Sequence, residues 1–199
     1  MALFDFDGTL TRRDTFWDFN TMFFGKRRVA AALIGLIPAV LSALRFDRSF
    51  LKETLVNNLW AGVPCESYIS FARKYACHEI EKNLRPEAMR VFLSHIEHGD
   101  DVYIVTASMK DWCEFWAERY GVAVIGTELE AADGYLTGRL LTPNCWGKEK
   151  VTRIRAAADL SKYSRIFAYG NSRGDKEMLS IADEAVYRWD RVPEIERRT

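Results

Sequence analysis

The chain reads as an α/β protein: a three-layer, Rossmann-like parallel sheet core carrying an inserted small α-helical cap and a short β-hairpin. Three observations predict this. A short apolar run at residues 2–6 stands apart at the start, bounded by Asp7-Gly8-Thr9 where the backbone must turn. Residues 15–83 then carry helical spacing with no strand signal. From Arg85 onward, helical segments alternate with short continuous apolar runs of the kind buried in a parallel sheet. At 199 residues the chain is long enough for one well-buried core and a smaller appendage. The expected partition is a core from residues 1–14 and 84–199, with the cap at 15–83.

Taken in order, residues 2–6 form the first strand. Trp17, Phe19, Met22, Phe23 and Phe24 open the helical region, and an apolar run at 29–44 follows. Leu51, Leu55 and Leu59 recur every four residues, and Tyr68, Phe71 and Tyr75 follow at helical intervals. Gly62-Val63-Pro64 punctuates these last two helices. Pro86 suits the first turn of the next helix and Gly99 its exit. Further strands are expected at 102–105, 122–125, 166–169 and 185–187, with helices at 110–120, 148–160 and 175–181. Asp133-Gly134, between alternating flanks, marks a hairpin over 128–141.

Composition narrows the function. Lys and Arg (28) balance Asp and Glu (28), so no broad basic field exists and nucleic acid is not an expected partner. Cys65, Cys77, Cys113 and Cys145 are scattered without zinc spacing, which fits reduced thiols. Asp5 and Asp7 interrupt the apolar start, so no secretory leader is expected and a cytoplasmic location fits.

Four stretches fall where strand ends are expected, and in an open parallel sheet those ends converge on one crevice. The first is Asp5-Phe6-Asp7-Gly8-Thr9, with two carboxylates on one side of the strand end. Such a pair repels and desolvates badly unless a cation joins it, and Mg²⁺ suits oxygen ligands and phosphate. One carboxylate can then attack phosphorus while the other donates a proton to the leaving oxygen. The second is Val105-Thr106-Ala107-Ser108, whose hydroxyl and backbone N–H groups suit phosphate oxygens, although Thr and Ser also cap helices. The third is Gly147-Lys148-Glu149-Lys150 at a helix start, where a lysine can neutralise phosphoryl charge or simply face solvent. The fourth, Tyr169-Gly170-Asn171-Ser172-Arg173-Gly174-Asp175, offers amide and carboxylate oxygens to a cation, or forms an ordinary Asn/Gly turn.

In this order the four stretches resemble the motifs of the haloacid dehalogenase superfamily phosphatases, and Asp5 through Thr11 matches its DxDGT[L/V][T/V] signature. The resemblance runs from Ala2 to about Ala185. It implies Asp5 as the nucleophile that becomes an aspartyl-phosphate and Asp7 as the general acid/base. It implies that Thr106 and Lys150, with Ala107 and Ser108, hold the phosphate, and that Asp5, Asp7, Asn171 and Asp175 surround Mg²⁺. Lys150 is favoured over Lys148 because Ile154 and Ala157 follow it at helical spacing. The fourth motif departs from the family pattern, since Asn171 stands where an aspartate is usual. That removes one negative charge from the metal shell.

An insertion between the first and second motifs resembles the phosphoserine-phosphatase-like branch with its helical cap, where the leaving group is read. The run 29–44 is 16 residues long, short of the ~20 needed to span a bilayer, and Pro38 interrupts it. Lys26-Arg27-Arg28 precede it, so a buried cap helix, a segment lying on a membrane surface and a dimer contact all compete. The cap run, Cys145-Trp146-Gly147 with Lys150, and Trp189 also resemble phosphatidylglycerophosphatase C-type proteins. A phospholipid phosphate and a small soluble phosphomonoester such as phosphoserine are therefore both candidate substrates, and Arg45, Arg48 and Glu53 are candidates to meet the carboxylate and amine of phosphoserine. A rival of another class is a binding or membrane-surface module whose Asn171 has weakened catalysis. Oligomeric state is left open.

Overall fold

The computed structural model describes residues 1–36 and 48–190. Five strands form one sheet in the order β3-β2-β1-β6-β7, every neighbouring pair parallel. They are β1 (Ala2–Phe4), β2 (Val102–Met109), β3 (Ala123–Thr127), β6 (Phe167–Gly170) and β7 (Glu184–Tyr187). The remaining two, β4 (Leu129–Ala132) and β5 (Tyr135–Leu140), make a separate antiparallel hairpin. The hairpin turns at Asp133 (φ 51°) and Gly134 (φ 82°), the paired positive φ that an Asp-Gly turn supplies.

Strand β1 is shorter than the expected 2–6, because the chain leaves the sheet after Phe4 and turns at Gly8, whose φ is 77°. Strand β2 runs four residues beyond the expected 102–105, since its tip is built of Thr106, Ala107 and Ser108 rather than of large apolar residues.

Among the described residues of 15–83, four main helices follow β1. They are α1 (Thr15–Phe24), α2 (Lys26–Ile34), α3 (Arg48–Trp60) and α4 (Cys65–Tyr75), the last continuing in helical turns to Asn83. Asp14 caps α1, accepting from the Phe16 and Trp17 amides. The apolar run expected at 29–44 falls partly on α2, and residues 37–44 lie outside the described residues, as does Arg45. Further helices complete the layers: α5 (Pro86–Glu97), still ahead of β2, then α6 (Lys110–Ala117), α7 (Lys148–Ala157) and α8 (Lys176–Ser180). No helix among the described residues is long and apolar enough to cross a membrane. All four cysteines are free thiols.

Side-chain alternation along the strands sends Phe4 and Ile104 to one face of the sheet and Leu3 and Val105 to the other. The Leu3 face packs on Ile154 of α7 and Met178 of α8. The Phe4 face joins one apolar cluster with the helices of residues 15–83, through Phe19, Trp60, Tyr68, Tyr75, Trp112 and Trp116. The hairpin is stitched to the α3–α4 connection, where Gly62 donates to the Leu136 carbonyl and Leu136 donates back to Val63.

Candidate active site

The carboxyl ends of β1, β2 and β6 and the start of α7 bring the first, second, third and fourth stretches together. Asp5 follows β1 in an extended conformation, its N–H donating to the Tyr169 carbonyl on β6 at 2.9 Å. Asp5 is 6 % exposed. Lys150 enters from the first turn of α7 and is only 1 % exposed, whereas Lys148 faces solvent, so geometry separates the two lysines. The Lys150 ammonium donates to Asp5 Oδ1, to Asp175 Oδ1 and to the Val105 carbonyl, each at 2.7 Å. All three of its hydrogens are used, which is what a buried ammonium requires.

Asp175 is the other anchor of this lysine. Its Oδ2 accepts from the Asn171 and Ser172 amides and the Ser172 hydroxyl, at 3.1, 2.8 and 2.8 Å. Both Asp175 oxygens thus accept from protein donors, and the carboxylate fixes the β6–α8 turn and Lys150. Asn171 differs: its Oδ1 is buried and has no hydrogen-bond partner. The amide lies against Gly8, where an added Cβ would sit 1.9 Å from Asn171 Nδ2. Glycine suits this meeting of the first and fourth stretches, because the position has a positive φ and a side chain there would displace the Asn171 amide.

Asp7 points toward α1. Its Oδ1 accepts from the Thr15 amide at 2.6 Å and the Thr15 hydroxyl at 2.7 Å, and its Oδ2 accepts from the Ser108 hydroxyl. The Trp112 indole donates in turn to Thr15 Oγ1 at 3.2 Å. The Ser108 hydroxyl, expected on substrate, is therefore spent on Asp7. The buried Thr106 accepts the Ser108 amide at 3.0 Å, leaving its own hydroxyl hydrogen available as a donor. Ala107 presents its carbonyl to Thr127 Oγ1 at 2.9 Å.

Charge balance follows from this geometry. Burial pushes Asp5 up to about 7, with Lys150 opposing and Asp175 and Asp7 adding to the rise. Burial and the Asp14 carboxylate push Asp7 up to about 6, against the donors from Ser108 and Thr15. Burial pulls Lys150 down, but Asp5 and Asp175 outweigh it and hold the ammonium above its ordinary value. Burial acts on Asp175 upward, yet Lys150 and the Ser172 donors bring it below the usual carboxylate range. Three carboxylates thus face one contacting ammonium, an excess of negative charge that a divalent cation would offset. Among the described residues, no three His, Cys, Asp or Glu groups gather as a ready-made metal cluster. A cation here would draw on the orphaned Asn171 Oδ1 and on the Asp5 carboxylate, whose two oxygens accept from Lys150 and Thr9.

Sequence reasoning missed Lys52. From α3 its ammonium reaches the tip of β2, donating to the Ala107 carbonyl and to Asn144 Oδ1 (2.9 Å) and lying 5.2 Å from the Phe16 ring centre. Burial pulls it down to about 8, against the upward pull of Asp7 and Asp14. A signal was present: Lys52 shares helical spacing with the buried Leu55, Val56 and Leu59, so a lysine sits on the apolar stripe. Glu53, the acidic candidate for phosphoserine's amine, is exposed on the same helix.

The family model for haloacid dehalogenase-like hydrolases matches residues 2–180. The chain belongs to that family. The protein CicA of Caulobacter vibrioides is 36% identical over 192 residues, spanning 94% of this chain and 85% of CicA. A Bordetella pertussis protein of unknown function shares the fold at a TM-score of 0.77 and 22% identity, covering 94% of this chain and 88% of its own. A substrate-bound phosphoserine phosphatase superposes at a TM-score of 0.61 and 18% identity, over 94% and 84% of the two chains. This haloacid dehalogenase-like hydrolase thus has the α/β fold its sequence predicted. The expectation of a hydrolase agrees with the family.

Proposed function

We propose that the chain is a Mg²⁺-dependent phosphomonoesterase working through an aspartyl-phosphate on Asp5. The observation that carries this reading is Lys150 holding Asp5 and Asp175 at 2.7 Å each, beside an unpartnered Asn171 Oδ1. Asp5 attacks phosphorus, while Lys150 and the Thr106 hydroxyl offset charge on the phosphoryl oxygens. Asp7, with its carboxylate aimed by Thr15 and Ser108, protonates the leaving oxygen and then takes a proton from the attacking water. Mg²⁺, when bound by Asp5 and Asn171, supplies charge neutralisation at the phosphate. The residues 15–83 act as the cap over this site.

Lys52 supports a narrower reading of the substrate. A second ammonium on the α3 side of β2 suits a leaving group that carries its own negative charge. Phosphoserine (a carboxylate) and phosphatidylglycerophosphate (a phosphodiester) both meet this requirement. The exposed Lys26 and Arg27 with Leu33 and Ile34 on α2 favour the lipid arm, reached by peripheral contact with an anionic membrane at its inner, cytoplasmic face. The test is hydrolysis of both substrates and of p-nitrophenyl phosphate, with and without Mg²⁺, for the wild type and Asp5→Asn. Turnover that needs Mg²⁺ and vanishes in Asp5→Asn is expected, and activity retained by that variant overturns the mechanism. Preference for the lipid with co-sedimentation on anionic liposomes selects the lipid arm, and preference for phosphoserine selects the other.

A further inference from the structure

The chain leaves β7 at Tyr187 and reaches back past β6 to the loop that follows β1. Arg188 makes this turn with a φ of 53°, a left-handed conformation uncommon for a residue bearing a side chain. Such backbone persists where its surroundings hold it in place. The next residue, Trp189, provides that hold. Its indole Nε1 donates to the Thr9 carbonyl at 2.8 Å. Its ring stacks on Tyr169 (centres 5.4 Å apart, 15° between planes), which stacks on Phe4 (4.3 Å, 12°).

Both partners of Trp189 also hold Asp5. The Thr9 hydroxyl donates to Asp5 Oδ2 at 2.8 Å, and the Tyr169 carbonyl accepts the Asp5 amide at 2.9 Å. Thr9 is buried, so no water competes for that carboxylate oxygen from its side. We infer that Trp189 is a positioning residue that fixes the Thr9 backbone and the Tyr169 ring, and through them the orientation of the Asp5 carboxylate. The inference rests on Asp5 acting as proposed above.

Trp189→Phe keeps a stacking ring and removes the indole donor, so the fold should survive. The expected result is a kcat on p-nitrophenyl phosphate lowered about tenfold with KM within about twofold, the scale of losing a partner that orients a site group. Thr9→Val cuts the path from Trp189 to Asp5. In that background the Trp189→Phe change should add little, as coupled residues are not additive. An unchanged kcat, or equal losses in both backgrounds, overturns the inference. Binding gives a second readout. Mg²⁺ with beryllium trifluoride, which imitates a phosphoryl group on a carboxylate, should raise the thermal midpoint of the wild type more than that of Trp189→Phe. Equal shifts, or no shift in either, also count against it. A wild type without hydrolysis, or an active Asp5→Asn, sinks the phosphatase reading instead, and the beryllium trifluoride comparison then decides the role of Trp189 alone.

Discussion

Two buried regions meet at the carboxyl ends of the strands, and they are held by opposite means. The seam between the sheet and the helices of residues 15–83 is aromatic: Phe19 touches the rings of Phe23, Trp60, Tyr68, Phe71, Tyr75 and Trp112. Its attraction is non-directional and grows with the apolar area removed from water. The tip a few residues away is ionic, and each atom of Lys150, Asp5 and Asp175 has an assigned partner. Burying those charges costs stability that their pairing only partly offsets. The difference teaches that the seam makes the fold stable enough to carry a site that is itself a burden.

The contrast is broken most directly at Asp7. Asp7→Asn should lower kcat by roughly 10²–10⁴-fold, the range for a lost general acid, while the thermal midpoint stays near wild type. The loss should be larger on an alkyl phosphate than on p-nitrophenyl phosphate, whose leaving group needs little protonation. Equal losses on both would remove Asp7 from the acid role.

Removing Lys150 should damage both properties. Lys150→Ala leaves Asp5 and Asp175 buried without their cation, which should cost about 3–5 kcal/mol in denaturant unfolding and abolish turnover. A variant as stable as wild type would show that the ammonium is not holding the tip together. Phe19→Ala tests the other region. It should cost about 3–5 kcal/mol by emptying the centre of the seam, yet leave kcat of the folded fraction close to wild type.

The ionic tip also has a pH signature. Asp5 (about 7) and Asp7 (about 6) both lie above their ordinary 3.8, so in between the folded chain binds more protons than the unfolded one. In metal-free buffer the stability they contribute is full below 3.8 and is lost as pH rises through about 7. Thermal midpoints should therefore rise on acidification across that window. Asp175, held low, reverses the trend only below its ordinary 3.8. Mg²⁺ should flatten the slope, and a midpoint that falls on mild acidification would contradict the charge balance described. The smallest effect is expected at Ser172, whose hydroxyl caps the turn before α8 and bonds Asp175. Ser172→Ala should cost about 1 kcal/mol, read as a shift in denaturant midpoint.

Much of this was legible in the chain. The Asp133-Gly134 hairpin, the helix opened by Pro86 and the glycine turn after Asp7 follow from turn chemistry and periodicity, and the structure has each of them. Lys150 was separable from Lys148 because Ile154, four residues on, anchors its face of α7. The tip of β2 extends past the strand that its apolar run predicts, because Thr106 and Ser108 carry no apolar signal although they are buried. A lysine among leucines looks like a solvated residue until its helix is packed, so Lys52 stands out only in the fold. The ligand set of Asp5, Asp7, Asn171 and Asp175 follows from oxygens at strand ends and from resemblance, and spacing could not reveal that protein donors engage Asp5, Asp7 and Asp175.

The sequence by itself determined the alternation of helix and strand, the turns and the identity of the chemical groups, because these depend on residues close along the chain. Only the tertiary structure decided which oxygen meets which donor. Asp5 and Lys150 are 145 residues apart, and Thr9 and Trp189 are 180 apart. Such contacts depend on the twist, register and packing of the whole sheet, and local pattern carries no record of them.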